Sequence, residues 1–204
     1  MSVASALTLI FCLFYFAISI FIVRGLRLTA KDICVAGLII AITIVLTLIL
    51  IPLPTGASWS LCAPVPLMLM ALVWDKRLAI VAGWVCGVLV IFVSAPWQPV
   101  HWAQIFVEHL ICFSCLGYAG LFGYKTKGRL ILGLLLATVL KTVAHILSGA
   151  LFFGQYAWEG WGAWGYSLVY NLTQNIPLML LCCGIVLALP LKTITRAIGK
   201  EVAV

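Results

Sequence analysis

Seven apolar stretches, separated by short polar connections, run along this chain at residues 2–23, 33–51, 61–74, 78–94, 102–122, 130–153 and 164–191. Stretches near 20 residues are long enough to cross a ~30 Å hydrocarbon core as helices rising ~1.5 Å per residue. The third has only 14 residues and contains Pro64 and Pro66. It would reach only ~21 Å as a helix. The runs are unbroken rather than alternating, which excludes a transmembrane β-barrel. Thr29 and Asp32 have the spacing of a capping box and predict the opening of the second helix. The stretch 51–59 ahead of the third segment is irregular yet fairly apolar, with Pro52, Pro54 and Gly56. Irregular backbone at membrane depth survives only where it is buried or lines a cavity. This stretch therefore either dips into the outer leaflet as a cover or is an ordinary external loop.

Composition sharpens the class. Hydrophobic residues make up 65% of the chain and charged residues 8%, against roughly a quarter charged in soluble domains. With a mean hydropathy of +1.25, the chain reads as an all-α integral membrane protein. It carries no G-x-x-x-x-G-K-[ST] phosphate loop, so it has no ATPase of its own. The first segment lacks a basic leader and a small-residue cleavage site, and reads as a helix rather than a signal peptide. The eight cysteines lie mostly inside apolar runs as small hydrophobes; Cys112 and Cys115 have CxxC spacing but no second pair to make a metal site.

The charges then orient the spans. Arg24, Arg27, Lys31, Lys76, Arg77, Lys125, Lys127, Arg129, Lys192, Arg196 and Lys200 follow the first, third, fifth and seventh segments. The other connections carry no Lys or Arg. Eleven of twelve basic residues thus fall on one side, which the positive-inside rule makes cytoplasmic. The N-terminus is expected outside and the C-terminus inside. The net charge of +7 is topological and needs no nucleic acid.

Ionisable residues inside the spans are few: Glu108, His109, Lys141 and His145. Each needs a partner or a cavity. Counting from the outer helix ends, Glu108 lies about 9 Å deep, His145 about 12 Å and Asn171 about 10 Å. Polar groups from three helices at one level suggest a common pocket open to the outside. Trp59, Trp97, Trp102, Trp158, Trp161 and Trp164 all fall on the outer side. An interfacial belt accounts for most of them, but Trp59, on the irregular stretch, is expected to belong to the pocket. A carboxylate, two imidazoles, an amide and aromatic faces suit a small aromatic cation. A Glu108–Lys141 ion pair is the competing reading, although Lys141 lies about 9 Å deeper. Enzymatic motifs are missing: no HExxH, no GxSxG, and no group to orient Ser148 beside His145. The Asn171-Leu-Thr173 sequon lies within a span and reads as accidental.

The outer ends of the last two segments read HILSG at 145–149, QYAWEGWGAW at 155–164 and GYSLVYN at 165–171. This closely resembles the thiamine-specific substrate-binding (S) components of energy-coupling factor transporters. The resemblance extends more loosely over Glu108-His109-Leu110, LGYAGLF at 116–122 and Gly56 to Trp59, and covers roughly 30–195. It implies a six-helix bundle at 28–204, with residues 1–27 an additional N-terminal transmembrane helix and basic linker. Trp59, Glu108, His145, Tyr166 and Asn171 fall on thiamine-lining positions. Phe153 and Cys86 replace pocket tryptophans, while His109 and Trp97 replace tyrosines. The resemblance also implies partners, namely a transmembrane coupling protein and two cytoplasmic ATPases, and no cofactor. Ala36, Gly37 and Ala41 form a small-residue face that would dock the coupling protein or simply pack internally. The function implied is capture of thiamine or a close relative. The alternative is a self-sufficient proton-coupled carrier or a membrane enzyme using Glu108, Lys141 and His145.

Overall fold

The computed structural model describes residues 3–53, 58–93 and 99–200. Trp97 and Gly56 lie outside the described residues. Among the described residues, six helices are long and apolar enough to cross a membrane, and a shorter apolar one lies among them. α1 is Val3–Val23 and α2 is Ala30–Leu48. The local signal at the start of α2 works as a capping box. The Thr29 side chain accepts from the Asp32 backbone, and the Asp32 carboxylate accepts from Thr29 N at 3.0 Å.

After α2 the chain forms a two-stranded antiparallel hairpin, β1 (Leu50–Pro52) and β2 (Ser58–Ser60), with Ile51 opposite Trp59. It turns at Cys62, whose φ is 51°, into α3, Pro64–Val73. The third segment is therefore helical for only 10 residues, about 15 Å of rise. Pro64 stands at its first position, where the missing N–H leaves no bond unmade. Leu67, Met68 and Met70 on this short helix are almost wholly buried. α3 is thus a short central helix of the bundle, leading from the hairpin to Trp74, whose Nε1 donates to Asp32 in the first turn of α2.

α4, Lys76–Val93, starts under Asp75, whose carboxylate accepts from the backbone N–H of Arg77 at 2.7 Å and meets the Arg77 guanidinium at 2.9 Å. Burial would raise the Asp75 carboxyl, but the hydrogen bonds from Arg77 prevail and hold it below its ordinary value. The fifth span, α5, is Trp102–Gly120. It departs from the regular helix its sequence predicts. A short α turn leads into a π-helical stretch, Ile105–Ile111, and the span ends in a 3₁₀ stretch, Cys115–Gly120.

α6 is Lys127–Phe152 and α7 is Ala163–Ala188. α6 begins earlier than the apolar run, with Thr126 as its cap, so Lys127 and Arg129 sit in its first turn instead of in a loop. α7 ends before Pro190, and a separate short helix, α8 (Leu191–Ala197), follows.

Lipid tails are as apolar as leucine, so close packing rather than hydrophobicity holds such helices together. Gly87 illustrates it: a Cβ there would collide with the carbonyl of His109, so α4 lies directly against the π stretch of α5. Large side chains such as Phe21 and Phe92, 74% and 77% exposed, point away from the bundle toward lipid. α1 also packs into the bundle. Tyr15 pairs with Ser114 and Ser19 with Tyr118, both at a separation of 99 residues, so α1 and α5 run parallel.

Candidate substrate-binding site

The π stretch of α5 carries Glu108 and His109. A π turn bonds i to i+5, widening the helix and leaving carbonyls without their usual partners; such turns recur at functional sites. Two side chains bond to carbonyls of this stretch. Ser114 Oγ donates to Leu110 O at 2.6 Å, and Cys112 Sγ to Val107 O at 3.5 Å. Cys115 Sγ likewise donates to a backbone carbonyl, that of Cys112. Both CxxC thiols are buried and bonded to main chain, and among the described residues no group of His, Cys, Asp or Glu could hold a metal ion.

Glu108 faces α6. Its Oε2 accepts from Gln104 Nε2 at 2.5 Å and from Ser148 Oγ at 2.7 Å. Its Oε1 stands 3.9 Å from His145 Nδ1, too long for a hydrogen bond. His145 Nε2 lies 3.2 Å from Lys141 Nζ. An ammonium has only donors, so Nε2 accepts and the ring proton sits on Nδ1, the nitrogen turned toward Glu108. The Lys141 ammonium also lies 5.7 Å from the Phe113 ring centroid. The expected competition between Glu108 meeting a cationic ligand and a Glu108–Lys141 bridge therefore takes another form. Among the described residues the two charges do not pair directly; His145 stands between them.

The outcome is a near-neutral network with one carboxylate oxygen engaged and the other open. The Glu108 and His145 side chains keep 27% and 21% of their surface exposed.

Asn171 lies one helix away. Its Nδ2 donates to Ser167 O at 2.9 Å and to Ser167 Oγ at 3.2 Å. Ser167 Oγ in turn donates to Ile146 O at 2.6 Å. The crossing depends on Gly149, where a Cβ would fall 2.9 Å from Asn171 Nδ2 and collide with Ser167 Oγ. Gly149 follows His145 by one turn of α6, so the amide and the imidazole come from adjacent turns of one contact.

Trp59 is pinned to α7 by a reciprocal pair: its Nε1 donates to Gln174 O at 2.9 Å, and Gln174 Nε2 donates to Ser58 O at 3.0 Å. Tyr166 lies edge-on to Trp158 at 5.1 Å and beside Tyr170 at 5.4 Å. Phe153 caps α6 with its ring 6.2 Å from Tyr156. His109 and Cys86 are buried. On α2, Gly37 and Ala41 are exposed and Ala36 is half-buried.

Gln104, Ser167 and Gln174 escape the sequence reading, and Ser148 enters it only as a hydroxyl with nothing to orient it. Gln104 precedes Glu108 by four, a detectable spacing. Ser148 has no visible orienting group until α5 is placed against α6. Two cavities open elsewhere. One of about 180 Å³ is lined by Phe11, Tyr15 and Tyr118, and one of about 310 Å³ by Tyr124, Pro190 and Lys192. Neither is lined by an Asp or Glu that could pair with a cation, whereas Glu108 carries a carboxylate oxygen without a hydrogen bond among the described residues.

Comparison with known proteins agrees with this architecture. The family described as thiamine transporter protein (Thia_YuaJ) matches residues 33–198. The thiamine transporter ThiT of Bacillus subtilis (strain 168) is 31% identical over 163 residues, which cover 74% of this chain and 83% of the relative. A solved structure of ThiT from Listeria monocytogenes superposes with a TM-score of 0.68 at 24% identity, covering 80% of this chain and 94% of that one. At that identity the likeness speaks for the fold alone.

Proposed function

We propose, from the premise that this chain belongs to the thiamine transporter protein family, that it captures thiamine or a close relative at the outer side of a cell membrane. In this reading it is the substrate-binding subunit of an energy-coupling factor transporter. The observation that carries the reading is the state of Glu108. One carboxylate oxygen is held by Gln104 and Ser148, while the other is open beside His145. A thiazolium cation would take that open oxygen, and a charge-assisted contact is the strong kind. Asn171 and Tyr166 would read the polar edge and face of the pyrimidine, with Phe153, His109 and Trp97 completing the aromatic and polar wall. Trp59, on the hairpin tied to α7, would cover the ring.

The rest of the machinery would come from partners. The exposed small-residue face of Ala36, Gly37 and Ala41 suits close approach of a transmembrane coupling protein. Two cytoplasmic ATPases would supply energy from the side of the basic connections, with the N-terminus outside. A second reading, a proton-coupled carrier, is favoured by the row of Lys141, His145 and Glu108, in which Lys141 meets His145 at 3.2 Å and His145 comes within 3.9 Å of Glu108, since rows of ionisable groups relay protons in membranes.

Reconstitution separates the two. Liposomes holding this chain alone should bind thiamine without accumulating it, and accumulation should need the coupling protein, ATPases and internal ATP. Uphill uptake by the chain alone under an imposed pH gradient would overturn the subunit reading and leave the carrier.

A further inference from the structure

α1 lies outside the region matched by the family, which begins at residue 33, yet its inward face meets the helix that carries Glu108. The Phe16 ring stands edge-on to Phe106, inside the π stretch, at 6.3 Å and 85°, and leans on Trp84 at 6.4 Å. Tyr15 OH lies 2.6 Å from Ser114 Oγ. The single proton of Ser114 goes to Leu110 O at 2.6 Å, so Tyr15 donates to Ser114 and Ser114 donates to the π stretch. One turn on, Ser19 pairs with Tyr118 at 2.8 Å. All four of these hydroxyl-bearing residues are buried. An irregular helical register persists when its surroundings over-determine it, and a relay of hydroxyls ending on a backbone carbonyl strengthens each of its bonds.

We propose that α1 is a clamp. Tyr15, Phe16 and Ser19 are positioning residues that hold α5 in the π register, which turns the Glu108 carboxylate onto Ser148 and leaves its second oxygen open for a cationic ligand. The clamp rests on the reading of Glu108 given under Proposed function. It acts on the charged contact and not on the pocket as a whole, so its loss should discriminate between ligands.

The test uses the full chain in detergent, titrated with thiamine and with its uncharged pyrimidine half. Tyr15→Phe keeps the ring and removes only the hydroxyl. It should bind thiamine about fivefold to tenfold more weakly and the pyrimidine half within about twofold of wild type. Ser114→Ala, which breaks the relay at its second hydroxyl, should behave alike. Placed on Glu108→Gln, Tyr15→Phe should add nothing, since both act through one group. Wild-type thiamine affinity in Tyr15→Phe would overturn the clamp. So would an equal loss for both ligands, or a loss that adds in full to that of Glu108→Gln. If Glu108→Gln itself leaves thiamine binding intact, the clamp and the reading of Glu108 fall together. If Glu108→Gln weakens binding and Tyr15→Phe does not, only the clamp falls.

Discussion

Replacing Glu108 by Gln tests the chemistry of the site most directly. The two side chains are nearly isosteric, and a Gln carbonyl can still accept from Gln104 and Ser148, which bond to Oε2 at 2.5 and 2.7 Å. The fold should therefore survive. What changes is the second oxygen. In the variant an NH₂ group stands there, aimed at the His145 Nδ1 proton and at any cationic ligand. A donor replaces an acceptor, and the charge is gone. A charge-assisted contact contributes roughly 1.5–3 kcal/mol. The Glu108 side chain is 27% exposed, and solvent screens such contacts, which favours the lower half of that range. A loss of about 1.5–2 kcal/mol is a roughly 10- to 30-fold weaker Kd. The assay is a binding titration of purified protein with thiamine and with the uncharged pyrimidine half, alongside thermal unfolding. Thiamine should lose the full amount and the pyrimidine half little, with the unfolding temperature nearly unchanged. Undiminished thiamine affinity, or an equal loss for both ligands, would refute the assignment of Glu108 to the cation.

Gly149→Ala should weaken both stability and binding, because its Cβ would collide with Ser167 Oγ and press on Asn171 Nδ2 at 2.9 Å. Overpacking of this kind costs about 1–3 kcal/mol, so an unfolding temperature and affinity at wild-type level would show that α6 and α7 can separate freely. Trp59→Phe removes the 2.9 Å bond to Gln174 O while keeping an aromatic face. Thiamine should then bind several-fold more weakly, about 1 kcal/mol for a neutral hydrogen bond, with a smaller change in tryptophan fluorescence on binding. A full signal at wild-type affinity would place Trp59 in the interfacial belt instead.

How much of this was readable in advance divides by range. The cap of α2 is legible because Thr29 and Asp32 satisfy each other within one turn, whatever the rest of the chain does. The apolar runs locate the spans because the free energy of transfer adds residue by residue. Run edges mislead where a cap or a proline decides instead. Thr126 starts α6 ahead of the apolar run, and Pro190 separates α7 from α8. Segment 61–74 shortens to α3 because residues before Pro64 are engaged in the hairpin and its turn at Cys62. The common level of Glu108 and His145 follows from counting rise per residue, and the two side chains do meet at 3.9 Å.

Length of apolar runs, the one-sided distribution of Lys and Arg, and the identity of the few polar residues within the spans are properties of the chain read in order. From them follow a multi-pass helical membrane protein and a short set of candidate ligand contacts. Which partner each candidate takes is not such a property. Lys141 could reach Glu108 or His145, and rotation of α6 against α5 selects the imidazole. The Glu108 oxygens become unequal only because Ser148, 40 residues away, and Gln104 converge on one of them. The π register that allows this is braced by Tyr15 from a helix 99 residues distant. Hydrogen bonds form only within about 3 Å and near-linear geometry, so shifts of an ångström in helix packing decide between partners that the sequence presents as equals.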